Sequence, residues 1–149
     1  MHTEFTLNGE LAALPHFLTS LAIGLLIGLE RERNPGSRAG LRTFALVAMF
    51  GTLAAMLSEK ATPWLLLGGL FIVGLMMVAA YSRVKDDNAD PGTTTIAAIL
   101  VCYGLGAAVW YGHSTLAIML AIITPVLLYF KPELHGITEK LSRRDLISI

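Results

Sequence analysis

Apolar positions in this chain gather into five runs, at about 14–29, 43–58, 63–82, 94–112 and 114–130. Each approaches the ~20 residues with which a helix crosses a bilayer core, the second and fifth being the shortest. The runs show no alternation of apolar and polar positions, and they are rich in Leu, Ala, Met and Gly. That pattern excludes half-buried or barrel strands. A bilayer also requires each crossing segment to close its own backbone hydrogen bonds, which selects helices. The fold class that follows is all-α: a multi-pass membrane protein with five transmembrane helices. The first run is no cleaved signal peptide, since Glu4 and Glu10 precede it and GLERER follows it.

The polar breaks between the runs set an orientation. GLERERNPGSRAGLRTFA, residues 28–45, places Arg31, Arg33, Arg38 and Arg42 between two apolar segments. Arg83 and Lys85 lie between runs three and four, and Lys131, Lys140, Arg143 and Arg144 follow run five. Only Lys60 falls on the opposite side, so ten basic residues face one. The positive-inside rule then predicts the N-terminus outside and the C-terminus in the cytoplasm. Asn34, Pro35 and Gly36 form a turn signal that stops the first helix. Glu30 and Arg42 border the same hairpin at the same depth, and their expected relation is an interfacial ion pair. Arg31 and Arg33 are placed to snorkel to the headgroups.

Composition agrees with a membrane protein: 54% of residues are hydrophobic and 15% charged, against about 25% charged in ordinary soluble domains. The formal net charge of zero gives no sign of a nucleic-acid partner. A single cysteine, Cys102, excludes an intrachain disulfide and a cysteine-based zinc site. Its apolar setting predicts a small buried hydrophobe. The sequence divides into a transmembrane domain, residues 1–132, and a cytoplasmic amphipathic tail or linker, residues 133–149.

An internal repeat is suggested by the second and fourth runs. One opens Gly40-Leu41-Arg42-Thr43-Phe44-Ala45 and the other Gly92-Thr93-Thr94-Thr95-Ile96-Ala97, and both reach an Ala-Ala pair near the far end. Helices 1–2 and 3–4 would then be parallel hairpins, a device common in transporters. Two helix N-termini would face the cytoplasm, where free N–H groups and the helix dipole favour an anion beside Arg42, Thr43, Thr94 and Thr95. A simpler expectation is that Thr93, Thr94 or Thr95 caps helix 4 after the Asp90-Pro91-Gly92 turn. Asp86, Asp87 and Asp90 are weak candidates for Mg²⁺, because an acidic cluster on a loop is usually just solvated. No metal site and no cofactor are expected.

Gly24 and Gly28 make a small-xxx-small pair, and Gly68, Gly69 and Gly74 on helix 3, with Gly104 and Gly106 on helix 4, extend the same close-packing signal. Pro125 after Thr124 should kink helix 5. No carboxylate falls well inside any run, which argues against a self-sufficient ion-coupled carrier. Ser/His/Asp groupings, HExxH and phosphate-binding loops are all missing, so the sequence is not read as an enzyme.

The stretch IGLLIGLERERNPGSRAGLRTFALVAMFG resembles the N-terminal membrane domain of the MgtC/SapB family. The residues carrying the likeness are Gly28, Glu30, Arg31, Ala39, Gly40, Leu41, Arg42, Thr43, Ala45, Leu46 and Val47, with a second, more generic block from Gly92 to Gly106. Relatives often have a cysteine near Cys102, and an acidic residue where this chain has Ile96. The ending KPELHGITEKLSRRDLISI is similar to the junction in longer relatives that continue into a second membrane domain, so a truncated or naturally short form is expected. The resemblance implies a bacterial inner-membrane protein with a regulatory or scaffolding role in magnesium homeostasis or envelope stress. The alternative is a transporter or channel module for an ion or small anion. Implied partners are the lipid bilayer, a second copy in a homodimer or larger homo-oligomer, and another membrane protein.

Overall fold

The computed structural model describes residues 2–33, 37, 39–83, 92–130, 136, 137 and 140. Five helices follow one another: α1(His2–Glu32), α2(Leu41–Lys60), α3(Trp64–Ser82), α4(Thr93–Trp110) and α5(Ser114–Tyr129). No strand occurs among the described residues. The helices α1 to α4 are long and apolar enough to cross a membrane, and α5 is a shorter apolar helix of 16 residues. All five apolar runs are therefore helical.

Helix α1 exceeds its run. Its 31 residues reach ~46 Å at 1.5 Å per residue, and Pro15 lies inside the helix rather than at its start. The polar residues before Pro15 pass as helix because Ala12, Ala13 and Leu11 are good helix formers. One turn on, the Thr19 hydroxyl donates to the Pro15 carbonyl at 2.8 Å.

Close backbone approach governs the arrangement. A Cβ on Gly24 would stand 2.6 Å from Ala45 Cα, and one on Gly28 would stand 2.8 Å from Leu41 Cα. Thus α1 and α2 lie nearly backbone to backbone along one antiparallel hairpin. The tightest meeting is between α2 and α4. A Cβ on Gly51 would run into the Tyr103 carbonyl, and a Cβ on Gly106 into the Ala48 carbonyl. Three residues join α2 to α3, and α3 runs antiparallel to α4, with Leu66 against Tyr103, Gly74 against Leu100 and Tyr81 against Gly92, so α2 and α4 run in the same direction and cross at these glycines.

That crossing has its own symmetry. The same step along the chain separates Gly51 from Gly106 and Ala48 from Tyr103, so exchanging the two helices reproduces the contact. The step differs from the one relating Gly40 to Gly92, so the local twofold relation does not follow the register suggested by the Gly-x-x-Thr openings. Nor are the two hairpins equal. Helix α1 buries Ser20, Ile23, Ile27 and Arg31, whereas α3 buries only Gly69, Val73 and Met77.

Three polar bonds fasten the centre. Thr52 Oγ1, fully buried, donates across to the Gly106 carbonyl at 2.8 Å, with its own Ala48 carbonyl at 3.3 Å. The Cys102 thiol donates to the Phe44 carbonyl at 3.3 Å. Tyr103 Oη donates to the Leu66 carbonyl at 2.9 Å and ties α3 to α4. A hydroxyl or thiol in a bilayer interior needs such a partner, and here each finds one on the neighbouring helix.

Candidate functional site

The end of the bundle where α1 gives way to α2, and α3 to α4, carries the charged residues of the loop. Arg31 sits in the last turn of α1 with 3% of its surface exposed. Its Nε donates to Glu30 Oε2 at 2.8 Å and its Nη2 to Glu30 Oε1 at 3.3 Å. This fork is the one salt bridge among the described residues. Neighbours in a helix do not normally face each other. Here the long guanidinium stem turns inward and Glu30, half-buried at the rim, follows it. Burying the guanidinium without that carboxylate would leave an uncompensated charge.

The expected pairing of Glu30 with Arg42 is therefore corrected: Glu30 takes Arg31. Arg42 stands exposed in the first turn of α2. The reason is register. Gly28 packs on Leu41, which leaves Arg42 on the outward side of α2 while Arg31 turns into the bundle.

A second carboxylate, which the sequence reading did not single out, joins the end of α1 to the start of α2. Glu32 Oε2 accepts the Leu41 backbone N–H at 2.8 Å. The last turn of α1 thus caps the first turn of α2. Gly40 has room for this, since a Cβ there would stand 3.1 Å from the same oxygen. A carboxylate at a helix N-terminus satisfies an orphan donor and the dipole together. One free donor of this N-terminus, where an anion was expected, is thereby taken by the chain's own carboxylate. The signal was present in the sequence as a glutamate at the end of one helix and a glycine opening the next.

At the start of α4 the capping expectation is also corrected. Gly92 is the N-cap residue, with φ +68 and ψ 2, and among the described residues no side chain caps the helix. Its carbonyl accepts the Ile96 N–H at 2.9 Å. The Tyr81 ring occupies the space a Cβ on Gly92 would need. Glycine is required both by the positive φ and by this contact. Thr94 is half-buried and Thr95 buried, on the side of α4 that faces the bundle, and Thr43 is half-buried on α2. Asp86, Asp87 and Asp90 lie outside the described residues, as do Asn34, Pro35, Gly36 and most of the tail. Among the described residues no three His, Cys, Asp or Glu side chains gather where they could hold a metal ion.

Of the glycines singled out from the sequence, Gly24 and Gly28 meet α2 backbone. Gly74 has only an ordinary contact, its Cβ position lying 3.5 Å from Leu100 Cδ2, and Gly104 has nothing within 4 Å. Gly106, also marked from the sequence, meets α2 backbone at the tight α2–α4 contact, and its counterpart there, Gly51, was not marked.

Comparison with known proteins gives one family. The MgtC family model matches residues 17–137, which spans all of α2 to α5 and the second half of α1. No curated protein and no solved structure matches the chain.

Proposed function

The chain belongs to the MgtC family, and from that premise we propose that it is a non-enzymatic regulator or scaffold of the bacterial inner membrane. Its setting is magnesium homeostasis or envelope stress, its N-terminus is outside, and its charged loop end faces the cytoplasm. It is a membrane protein of the MgtC type. The observation that supports a regulator over a conduit is the α2–α4 crossing. The two most buried helices meet backbone to backbone at Gly51 and Gly106, and the Thr52 hydroxyl is spent on the Gly106 carbonyl. A transport path needs polar groups lining a space at mid-depth. Here the centre is filled, and its polar groups are bonded to neighbouring backbone.

The loop end then becomes the working surface. Arg31 and Glu32 build a fixed platform, while Arg33 and Arg42 stand exposed on it, suited to anionic headgroups or to an acidic face of a membrane partner. A second copy of the chain is a further candidate for such a partner.

Two measurements test this reading. Proteoliposomes loaded with a magnesium indicator should show no flux above empty vesicles. In the same series, a deletion strain grown at low magnesium should be rescued by the wild-type chain and not by Arg33→Gln/Arg42→Gln. Saturable Mg²⁺ flux would establish the transporter reading instead. Orientation is checked by cysteine labelling in a Cys102→Ser background: Ser114→Cys should react with an impermeant reagent in intact cells, and Ser142→Cys should not.

A further inference from the structure

At the end of the bundle away from the charged loop, α1 and α4 meet through two polar rings. The His16 and Trp110 ring centroids are 5.3 Å apart, with planes tilted by 55°. His16 Nδ1 and Trp110 Nε1 are both buried, and neither has a hydrogen-bond partner. One turn along the same face of α1 is Ser20, fully buried, its hydroxyl donating to the Phe17 carbonyl at 3.0 Å. The imidazole therefore points to the bundle side rather than to lipid.

An orphaned buried polar atom is expensive, and native proteins satisfy such atoms with ordered water where protein groups do not reach. The indole N–H can only donate, whereas the Nδ1 of a neutral imidazole can accept. One molecule that accepts from the first and donates to the second answers both. We propose that His16 and Trp110 form a buried site for a single bridging water, which accepts from Trp110 Nε1–H and donates to His16 Nδ1.

This arrangement fixes the neutral His16 tautomer with its proton on Nε2.

The chain has two tryptophans, so Trp64→Phe leaves Trp110 as its only indole. Full-length protein labelled with ¹⁵N-tryptophan in micelles should show a cross-peak between the Trp110 indole N–H and water. His16→Phe removes the acceptor and should weaken that cross-peak severely or abolish it. His16→Asn keeps an acceptor near the Nδ1 position and should retain it, and His113→Asn should leave it unchanged. An indole resonance without a water cross-peak overturns the proposal. So does a cross-peak that persists at full strength in His16→Phe.

Discussion

Helices α1 and α3 open the two hairpins of this protein, and their sequences suggest the opposite of what they do. Helix α3, WLLLGGLFIVGLMMVAAYS, is unbroken apolar sequence, yet it lies at the edge with Trp64, Phe71, Ile72 and Leu75 exposed. Helix α1 carries His16, Thr19, Ser20, Glu30 and Arg31, and it packs along α2 through Gly24 and Gly28. In water the more apolar helix would take the centre. A bilayer removes that preference, because lipid tails cover leucine as well as a protein does. What earns a central place is a small residue that admits a backbone, or a polar group that needs a partner. Gly51, Thr52, Cys102, Tyr103 and Gly106 meet that description, and they lie at the α2–α4 crossing.

The contrast between centre and edge is broken most severely at that crossing. Gly51→Leu or Gly106→Leu should cost ~3 kcal/mol or more, since the obstacle is backbone of the neighbouring helix rather than a movable side chain. Thermal unfolding in detergent, together with the yield of monodisperse protein, reads this. Next come Gly24→Leu and Gly28→Leu, expected at ~1–3 kcal/mol by the same measurement. If either melted like wild type, the α1–α2 hairpin would be looser than its backbone contacts indicate.

A smaller effect sharpens the comparison at the loop. Glu30→Gln should cost ~1–3 kcal/mol by removing the charged partner of a buried guanidinium. A double-mutant cycle with Arg31→Gln should show coupling above ~0.5 kcal/mol, whereas one with Arg42→Gln should be additive within that margin. Coupling to Arg42 of the same size would restore the interfacial pair expected from the sequence. The smallest effects belong to the edge. Gly68→Leu and Gly104→Leu meet nothing within 4 Å and should stay within ~0.5 kcal/mol of wild type. A loss comparable to that of Gly106→Leu would mean that this face is covered by another protein surface.

The loop shows how far residue patterns reach. That Glu30 and Arg31 belong to one charged hairpin end was legible, because both border an apolar run that no charge can enter. Their mutual pairing was not, since adjacent residues point about 100° apart on a helix and only the turn of Arg31 into the bundle brings the fork together. Glu32 as the cap of α2 required the two helix ends to be placed in space, nine residues apart in the chain. Threonine in the first turn of α4 read as a cap, but the positive φ of Gly92 and the Tyr81 ring above it supply the start of that helix instead.

By itself, the sequence determined that the chain is helical, that it has five apolar segments, and that its charge lies between them. Those features depend on composition and period, which a bilayer reads locally. The tertiary structure alone decided which helices take the centre, which glycines meet backbone and which carboxylate the buried arginine takes. Each of these depends on how far one helix is rotated and slid against its neighbour. Lipid solvates most apolar faces equally well, so hydrophobicity leaves that rotation open. It is fixed by a few sites, Gly51 against Tyr103 and Gly106 against Ala48 foremost, where only a residue without a side chain lets the backbones meet.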